Sequence, residues 1–150
     1  MNCVCDLNLL KNDCICQALI NKQRKAVSPV ELMRSRYVAF ATGEADYLFE
    51  TSSKALQQML TVQKLQESCD STQFIGLEII DHNEDSVEFK AKYLVDSLFG
   101  IIHETSKFIK EDDNWKYDTG TLHPTVDVNI KRNDICPCGS DKKFKKCHMK

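Results

Sequence analysis

The most constraining feature of this sequence is the distribution of its eight cysteines, of which seven lie within sixteen residues of one terminus or the other. Only Cys69 lies in the middle of the chain. A secreted disulfide scaffold would spread its cysteines through the fold, and the first residues lack the basic and then apolar segments of an export signal. We therefore expect a cytoplasmic protein with reduced thiols, in which the clustered cysteines bind metal.

The C-terminal cluster has the spacing C-x-C-x8-C-H, which supplies three thiolates and one imidazole, a complete tetrahedral ligand set for zinc. Gly139 permits a tight turn after the second cysteine, and Phe144 is expected to fill the small core between the ligand pairs. Because all four positions are protein ligands, the pattern predicts a structural site rather than a catalytic one. Free or redox-active thiols are the alternative interpretation. The predicted ligands are Cys136, Cys138, Cys147 and His148.

The N-terminal cluster repeats the first part of this spacing and then departs from it, because its fourth member is a cysteine placed one residue later. Four thiolates can also close a tetrahedron, but they carry one more negative charge than three thiolates and an imidazole, and few cations lie nearby in the sequence. Two interpretations stay open: a second metal site, or a degenerate copy whose leucines pack on the main domain while its thiols stay free. The residues concerned are Cys3, Cys5, Cys14 and Cys16.

Charge is distributed unevenly along the chain. Residues 131–150 hold seven lysines and arginines against two aspartates, a net charge of +5, whereas the other 130 residues carry −7. A basic end on an acidic body favours contact with a negatively charged partner, although a solvated lysine-rich end is the plain alternative. The longest apolar run covers residues 98–102, far short of the ~20 residues of a membrane helix, so no membrane association is expected.

Between the clusters, the apolar pattern predicts helices followed by strands. Ser28, Pro29 and Glu31 form a capping box at the start of the first helix, and Gly43 ends it. Alternating residues then predict an antiparallel meander with one solvated face. The fold class is therefore α+β, with helices covering one side of a sheet. Further helices are predicted over 45–49 and 53–67, and strands over 74–82, 87–95, 101–110 and 115–119.

Two resemblances extend this interpretation. The run from Arg132 through Cys136-Pro137-Cys138-Gly139-Ser140 to Cys147-His148 resembles the SEC-C motif. That resemblance implies zinc binding, with iron as a possible metal, and contact with proteins or ribosomes.

The segments Glu31–Phe40, Ala45–Leu48 and Phe108–Asp118 resemble the bacterial YchJ family. This resemblance implies a curved, cone-shaped sheet like that of nuclear transport factor two, with a SEC-C knuckle at each end of the chain, and it brings no established enzymatic activity. The expected organisation is an N-terminal knuckle (residues 1–26, degenerate), a cone domain (27–128) and a C-terminal knuckle (129–150).

The candidate acid–base residues are assigned to the surface or to hydrogen bonds within the fold rather than to catalysis. His103 and Glu104 are neighbours on a predicted strand, so they face opposite sides, and Asp46 and Asp118 have no partner that the sequence places beside them. Arg34 or Arg36 is expected to pair with a carboxylate such as Asp46 or Glu50. The aromatic residues are assigned to the core, and Cys69 to a helix end as a small apolar residue. These are Tyr37, Phe40, Phe89, Tyr93, Phe108 and Trp115.

The sequence therefore favours an interaction protein that docks its basic C-terminal knuckle on a protein or ribosomal surface. The alternatives are a small-ligand-binding protein or enzyme that uses the cone's cavity, and a thiol redox or metal-delivery role for the N-terminal cysteines. Sequence-specific nucleic-acid binding is not expected, because the sequence shows no aromatic platform for stacking bases.

Overall fold

The computed structural model describes residues 2–149, and its helices precede its strands as the sequence predicts. The longest helix begins and ends at residues whose capping roles can be read from the sequence. The Ser28 hydroxyl accepts the Glu31 N–H at 3.4 Å, Pro29 occupies the first helical position, and Gly43 ends the helix with a φ of +81°. The described helices are α1 (Ile15–Ile20), α2 (Pro29–Thr42), α3 (Ala45–Glu50), α4 (Lys54–Gln57) and α5 (Val62–Ser71).

The prediction of a single helix over residues 53–67 is wrong, because two capping residues divide this segment into two helices. The Ser53 hydroxyl accepts the Leu56 N–H at 3.2 Å and starts α4, while the Thr61 hydroxyl accepts the Lys64 N–H at 3.1 Å and starts α5. Each side-chain cap satisfies a backbone donor that a continuous helix would bond internally. The chain therefore turns between residues 58 and 61, and α5 packs against α3 and α2.

The first four strands form one antiparallel sheet in chain order, and a short fifth strand pairs with the third. Each of the first four strands is longer than predicted, the first two by one residue only, whereas the third begins three residues before Ile101 and the fourth runs four residues beyond Thr119. Asp112 and Asp113 adopt positive φ angles of 52° and 66° in the tight turn between these strands. The strands are β1 (Gln73–His82), β2 (Ser86–Val95), β3 (Leu98–Glu111), β4 (Asn114–His123) and β5 (Val128–Asn129).

The helices cover one face of this sheet, and the main core lies between the two layers. On β2, Val87, Phe89 and Ala91 point inward and are buried, while Glu88 and Lys90 alternate with them on the other face. From the helical side, Leu32, Tyr37 and Leu48 are among the buried residues of the same core. The predicted alternation, and with it the α+β fold class, is confirmed.

The two cysteine knuckles attach to this body differently. The four N-terminal cysteines belong to the main core, together with Leu19 and Tyr37. In the C-terminal knuckle, Cys136 and Phe144 form a separate small core with Leu94 at the end of β2. Among residues 2–149, no helix is both long and apolar enough to cross a membrane.

Candidate metal centres

The C-terminal cluster is assembled by a short, hydrogen-bonded loop. Cys136 donates its N–H to the Lys142 carbonyl at 2.8 Å, and Phe144 donates its N–H to the Asp134 carbonyl at 2.7 Å. Gly139 takes a φ of +89° and turns the chain directly after the first two cysteines. A single 3₁₀ turn, Phe144–Lys146, then presents the last two ligands. Phe144 is only 2% exposed, so it fills the small core as the sequence predicts.

The donor atoms of this cluster converge on one point. The Cys138 and Cys147 sulfurs are 3.5 Å apart, and the His148 Nδ1 lies 3.2 Å from the sulfurs of both Cys136 and Cys147. A disulfide would bring two sulfurs to about 2.05 Å, whereas zinc bonds of ~2.3 Å place the sulfurs of a tetrahedron ~3.8 Å apart. The spacing therefore corresponds to the edges of a ligand tetrahedron and not to a cystine.

The thiols of this cluster differ in how readily they ionise. Burial raises the pKa of Cys136 to about 11. Burial also opposes ionisation of Cys138, but contacts from the Ser140 hydroxyl and backbone outweigh it and lower the pKa of this thiol. The Cys138 thiol therefore ionises more readily than the Cys136 thiol.

The N-terminal cluster is built from a loop and the start of α1. Cys3 donates its N–H to the Leu9 carbonyl at 2.7 Å, and Cys14 donates its N–H to the Leu10 carbonyl at 3.0 Å, so the two C-x-C segments lie side by side. The Cys5 and Cys14 sulfurs are 3.6 Å apart, and all four cysteine sulfurs lie within 4.8 Å of one another. These cysteines are 0–7% exposed.

The four N-terminal sulfurs interact strongly with one another. The interaction between the neighbouring sulfurs of Cys5 and Cys16 lowers the pKa of Cys5 to about 5 and raises the pKa of Cys16. Burial raises the pKa of Cys3 to about 12. Full ionisation of such a crowded, buried set requires a cation among the sulfurs.

The guanidinium group of Arg34, which the sequence did not place near the cysteines, lies beside this cluster. Arg34 binds the carboxylate of Asp6 through Nε at 2.7 Å and through Nη2 at 3.3 Å. One of the two arginines therefore does pair with a carboxylate, as expected, but the suggested partners Asp46 and Glu50 are wrong and the partner is Asp6. Arg36 instead donates to the Leu48 carbonyl at 2.9 Å and to the Thr51 hydroxyl at 2.7 Å.

The chemistry of the two donor sets fits a structural metal ion. Thiolate and imidazole donors suit zinc or iron, whereas magnesium and calcium prefer oxygen donors. The C-terminal set offers three sulfurs and one ring nitrogen, and the N-terminal set offers four sulfurs. In each, four protein donors would complete the shell, which is the arrangement of a structural site.

A third cluster, on the outer face of the sheet, was missed by the sequence analysis. Glu88, His103 and His123 bring one donor atom each to within 4.8 Å of one another. His103 and Glu104 lie on opposite faces of the sheet, as expected. The predicted strand ended at Thr119, however, so the sequence did not place His123 beside His103. The β-branched Thr119 and Thr121, which favour a strand, were the signal that could have extended β4 to His123.

The concave face of the sheet holds a cavity of about 460 Å³ beneath the helices. Aromatic side chains assigned to the core, including Tyr37, Phe40 and Phe89, line it, and Arg36 and Glu104 provide its charged groups. The other acid–base candidates lie elsewhere: Asp46 is exposed, and Asp118 accepts the Ser53 hydroxyl at 2.7 Å. Cys69 is buried in α5, in keeping with its predicted apolar role.

Comparisons with known proteins agree with this architecture. The family model "YchJ, middle NTF2-like domain" matches residues 28–120, and the SEC-C motif model matches residues 132–150. A UPF0225 protein of Pectobacterium carotovorum is 36% identical over 155 residues, spanning 97% of this chain and 96% of the relative. A UPF0225 protein of Enterobacter sp. strain 638 is 38% identical over 151 residues, spanning 97% and 95%.

Solved structures show the same fold. The solution structure of a SEC-C motif containing protein from Rhodopseudomonas palustris has a TM-score of 0.74 and 29% identity, covering 83% of this chain and 100% of that one. The crystal structure of a SEC-C motif containing protein from Psychrobacter arcticus has a TM-score of 0.68 and 28% identity, covering 99% and 95%. The predicted NTF2-like cone and SEC-C motif are confirmed, and the chain belongs to the YchJ family.

Proposed function

We propose that this protein is a zinc-stabilised interaction module with two structural metal ions, one in each cysteine cluster. The convergence of four protein donors in each cluster supports this proposal. For the N-terminal cluster, the burial of all four sulfurs and the position of Arg34 beside Asp6 favour a metal site over free thiols. Binding through thiolates also needs a reducing compartment, which supports a cytoplasmic location.

Elemental analysis of protein purified without added metal tests this assignment. We expect two equivalents of zinc, falling to one in Cys147→Ser and to one in Cys16→Ser, because each substitution removes one ligand from a different set. Cys69→Ser is the matched control, since Cys69 is a buried cysteine in α5, outside both clusters, and it should keep both equivalents. Full metal content in either ligand variant would contradict the assignment, and iron in place of zinc would correct the metal.

The surface of the C-terminal knuckle supports the proposed docking role. Its lysines and arginines between residues 131 and 146 are exposed, and none of them belongs to an ion pair among the described residues. Two apolar side chains, Ile135 (60% exposed) and Met149 (46% exposed), lie on the same knuckle. Unpaired cations beside exposed apolar groups suit an acidic surface of a protein or ribosome.

Co-sedimentation with purified bacterial ribosomes at increasing salt tests the docking. We expect binding that weakens steeply with salt, because lysine contacts to phosphates release counterions. The variant with Lys142, Lys143, Lys145 and Lys146 all changed to Gln should lose binding. A variant that changes Lys64, Lys90, Lys92 and Lys110 to Gln removes the same charge from the body and should bind normally.

Cross-linking of the wild-type protein in cell extract extends the test to acidic protein partners. We expect cross-links that the knuckle variant loses and the body variant keeps. Equal behaviour of the two variants with ribosomes and in extract, or binding that does not respond to salt, would contradict docking through this knuckle.

The cavity favours a second function, the binding of a small and largely apolar molecule. Its volume of about 460 Å³ is in the range of ligand pockets. Burial lowers the pKa of Arg36 to about 10, so the guanidinium stays charged at neutral pH, and its carbon Cζ lies 4.8 Å from the centre of the Tyr117 ring. Tyr117 and Ser106 both donate to the Glu104 carboxylate. A ligand with one polar group and an apolar body would match this lining.

The fluorescence of anilinonaphthalene sulfonate, an apolar dye with one anionic group, measures whether the cavity is accessible. We expect the dye to bind the wild-type protein and to bind Ala91→Leu at least ten-fold more weakly, because Ala91 lines the cavity. Ala41→Leu, at an exposed position of α2, is the control. Equal dye binding by both variants would contradict a ligand role for the cavity.

A further inference from the structure

We propose that Glu88, His103 and His123 form a third metal site, one that takes a divalent transition-metal ion at the surface of the sheet. The three residues lie on three neighbouring strands, β2, β3 and β4, and share no residue with either cysteine cluster. One donor atom from each lies within 4.8 Å of the other two. The site therefore differs from the others in its ligands, its place in the fold and its access to solvent.

The strand register explains why these side chains meet. His103 on β3 lies directly opposite His123 on β4, which places their side chains on the same face and close together. Glu88 on β2 lies opposite Thr105, two residues along β3 from His103, so it is a diagonal neighbour on that face. The centres of the two imidazole rings are 4.3 Å apart. Backbone pairing on both sides of β3 holds the arrangement.

Hydrogen bonds already orient two of the proposed ligands. The Nε2 atom of His103 lies 2.7 Å from a Glu88 carboxylate oxygen, and the Thr105 hydroxyl lies 2.8 Å from Nε2 of His123. The Thr105 hydroxyl holds Nε2 of His123, which restricts the rotation of the ring and leaves Nδ1 as its donor to the metal. Thr105 is therefore a positioning residue, which acts on the metal through His123. The bond between His103 and Glu88 joins two proposed ligands, so bonds to the ion would replace it.

The donor types select the class of ion. Two imidazoles and one carboxylate suit zinc, nickel, cobalt or copper, whereas magnesium and calcium prefer oxygen donors alone. The His103 and Glu88 side chains are 21% and 33% exposed, so an ion can reach them from solvent. Three protein donors leave a fourth position for water or a small anion, which makes this site open where the cysteine sites are closed.

The competing interpretation of the same contacts is an ion pair between Glu88 and a protonated His103, beside a His123 ring tilted by 40° to that of His103. The two interpretations differ in a measurable way, because an ion pair needs no metal and gives the surface no metal affinity. Only a shared ion would make all three side chains respond together to added zinc.

Zinc titration by calorimetry tests the proposal on protein whose two cysteine sites are first shown to be filled. We expect one further equivalent to bind, with at least ten-fold weaker binding in His103→Gln and in His123→Gln. His82→Gln, which changes an exposed histidine on β1, is the matched control and should bind as the wild type does. Thr105→Val should weaken binding roughly ten-fold, since it removes only the orienting hydroxyl.

Imidazole proton resonances provide a second measurement that does not depend on heats of binding. The signals of His103 and His123 should shift or broaden together on addition of zinc, while those of His82 should not. Absence of a further equivalent, or an equivalent that survives in both histidine variants, would overturn the third site. Loss of that equivalent would leave the cysteine sites untouched, because the ligand sets share no residue.

Discussion

Arg34 connects the N-terminal cysteine loop to the body of the protein. Its two hydrogen bonds to Asp6 join residues 28 positions apart, and the side chains are only 19% and 18% exposed. Water screens a pair like this less than it screens a fully exposed one, and the paired, two-bond geometry is the strongest form of arginine–carboxylate contact. The contact therefore holds the loop against α2 and places a positive charge close to four sulfurs.

We predict that Arg34→Gln lowers the free energy of unfolding by roughly 1 kcal/mol, because it removes a partly buried, charge-assisted hydrogen-bond pair. Urea unfolding of the metal-loaded protein measures this change, and Asp6→Asn in a double-mutant cycle isolates the coupling. Lys107→Gln is the matched control, since Lys107 and its partner Asp85 are 58% and 55% exposed. Additive effects of the Arg34 and Asp6 substitutions would contradict the proposed coupling.

At this scale, sequence reasoning correctly grouped cysteines that lie close together in the chain, whereas their role as metal ligands stays a prediction. The C-x-C-x8-C spacing grouped Cys138 with Cys147 and Cys5 with Cys14, whose sulfurs lie 3.5 Å and 3.6 Å apart, because a short loop limits where its side chains can point. Sequence reasoning did not find the partner of Arg34, because Asp6 reaches it only when the N-terminal loop packs against α2. It failed for His123 as well, because that residue meets His103 only through strand pairing.

At the scale of single elements, the end of α2 depends on one glycine. Gly43 adopts a φ of +81°, a left-handed conformation that costs a residue with a side chain about 1–2 kcal/mol. The Gly43 N–H donates to the Ala39 carbonyl and so caps the last turn of the helix. The direction in which the chain leaves α2 for α3, and hence the position of Leu48 in the core, follows from this residue.

We predict that Gly43→Ala lowers the free energy of unfolding by about 1–2 kcal/mol, through backbone strain rather than lost contacts. Urea unfolding measures the effect. Gly76→Ala is the control, because Gly76 has an ordinary backbone conformation and the added methyl would lie 3.5 Å from the Lys92 side chain. Equal costs at the two positions would show that the left-handed conformation is not what Gly43 contributes.

The elements themselves were predictable to different degrees. Alternation on β2 and the capping box of α2 are local signals, and both elements appear where the sequence placed them. The division at residues 58–61 was not predicted, although Thr61 is a good capping residue, because the apolar spacing continues across the break. Helix propensity and capping compete there, and the caps at Ser53 and Thr61 prevail, so that α5 packs against α3 and α2.

At the scale of the whole molecule, the two knuckles differ in how they support the fold. Cys16, which is fully buried, lies in the main core with Leu19 and Tyr37. Cys136 and Phe144 share a smaller core that meets the body chiefly at Leu94. The sequence identified both cysteine clusters, but their spacing alone contains no information on which core each one joins. Loss of metal should therefore have different consequences at the two ends of the chain.

We predict that Cys16→Ser destabilises the entire body, whereas Cys147→Ser disorders roughly the last fifteen residues and leaves the body folded. A metal present at 1,000 times its dissociation constant adds about 4 kcal/mol to the unit it binds, and at the N-terminus that unit is the main core. Amide hydrogen exchange measures both effects: protection should fall throughout β2 and β3 in Cys16→Ser, but only within residues 131–149 in Cys147→Ser. Cys69→Ser controls for loss of a buried thiol.

Either of two results would contradict this asymmetry. Global loss of protection in Cys147→Ser would mean that the contact of Phe144 with Leu94 supports the whole sheet. Local loss in Cys16→Ser would mean that the N-terminal knuckle unfolds without disturbing α2, despite the contact between Arg34 and Asp6. The asymmetry matters for docking, because a knuckle with its own small core can change its metal content or its partner while the cone keeps its shape.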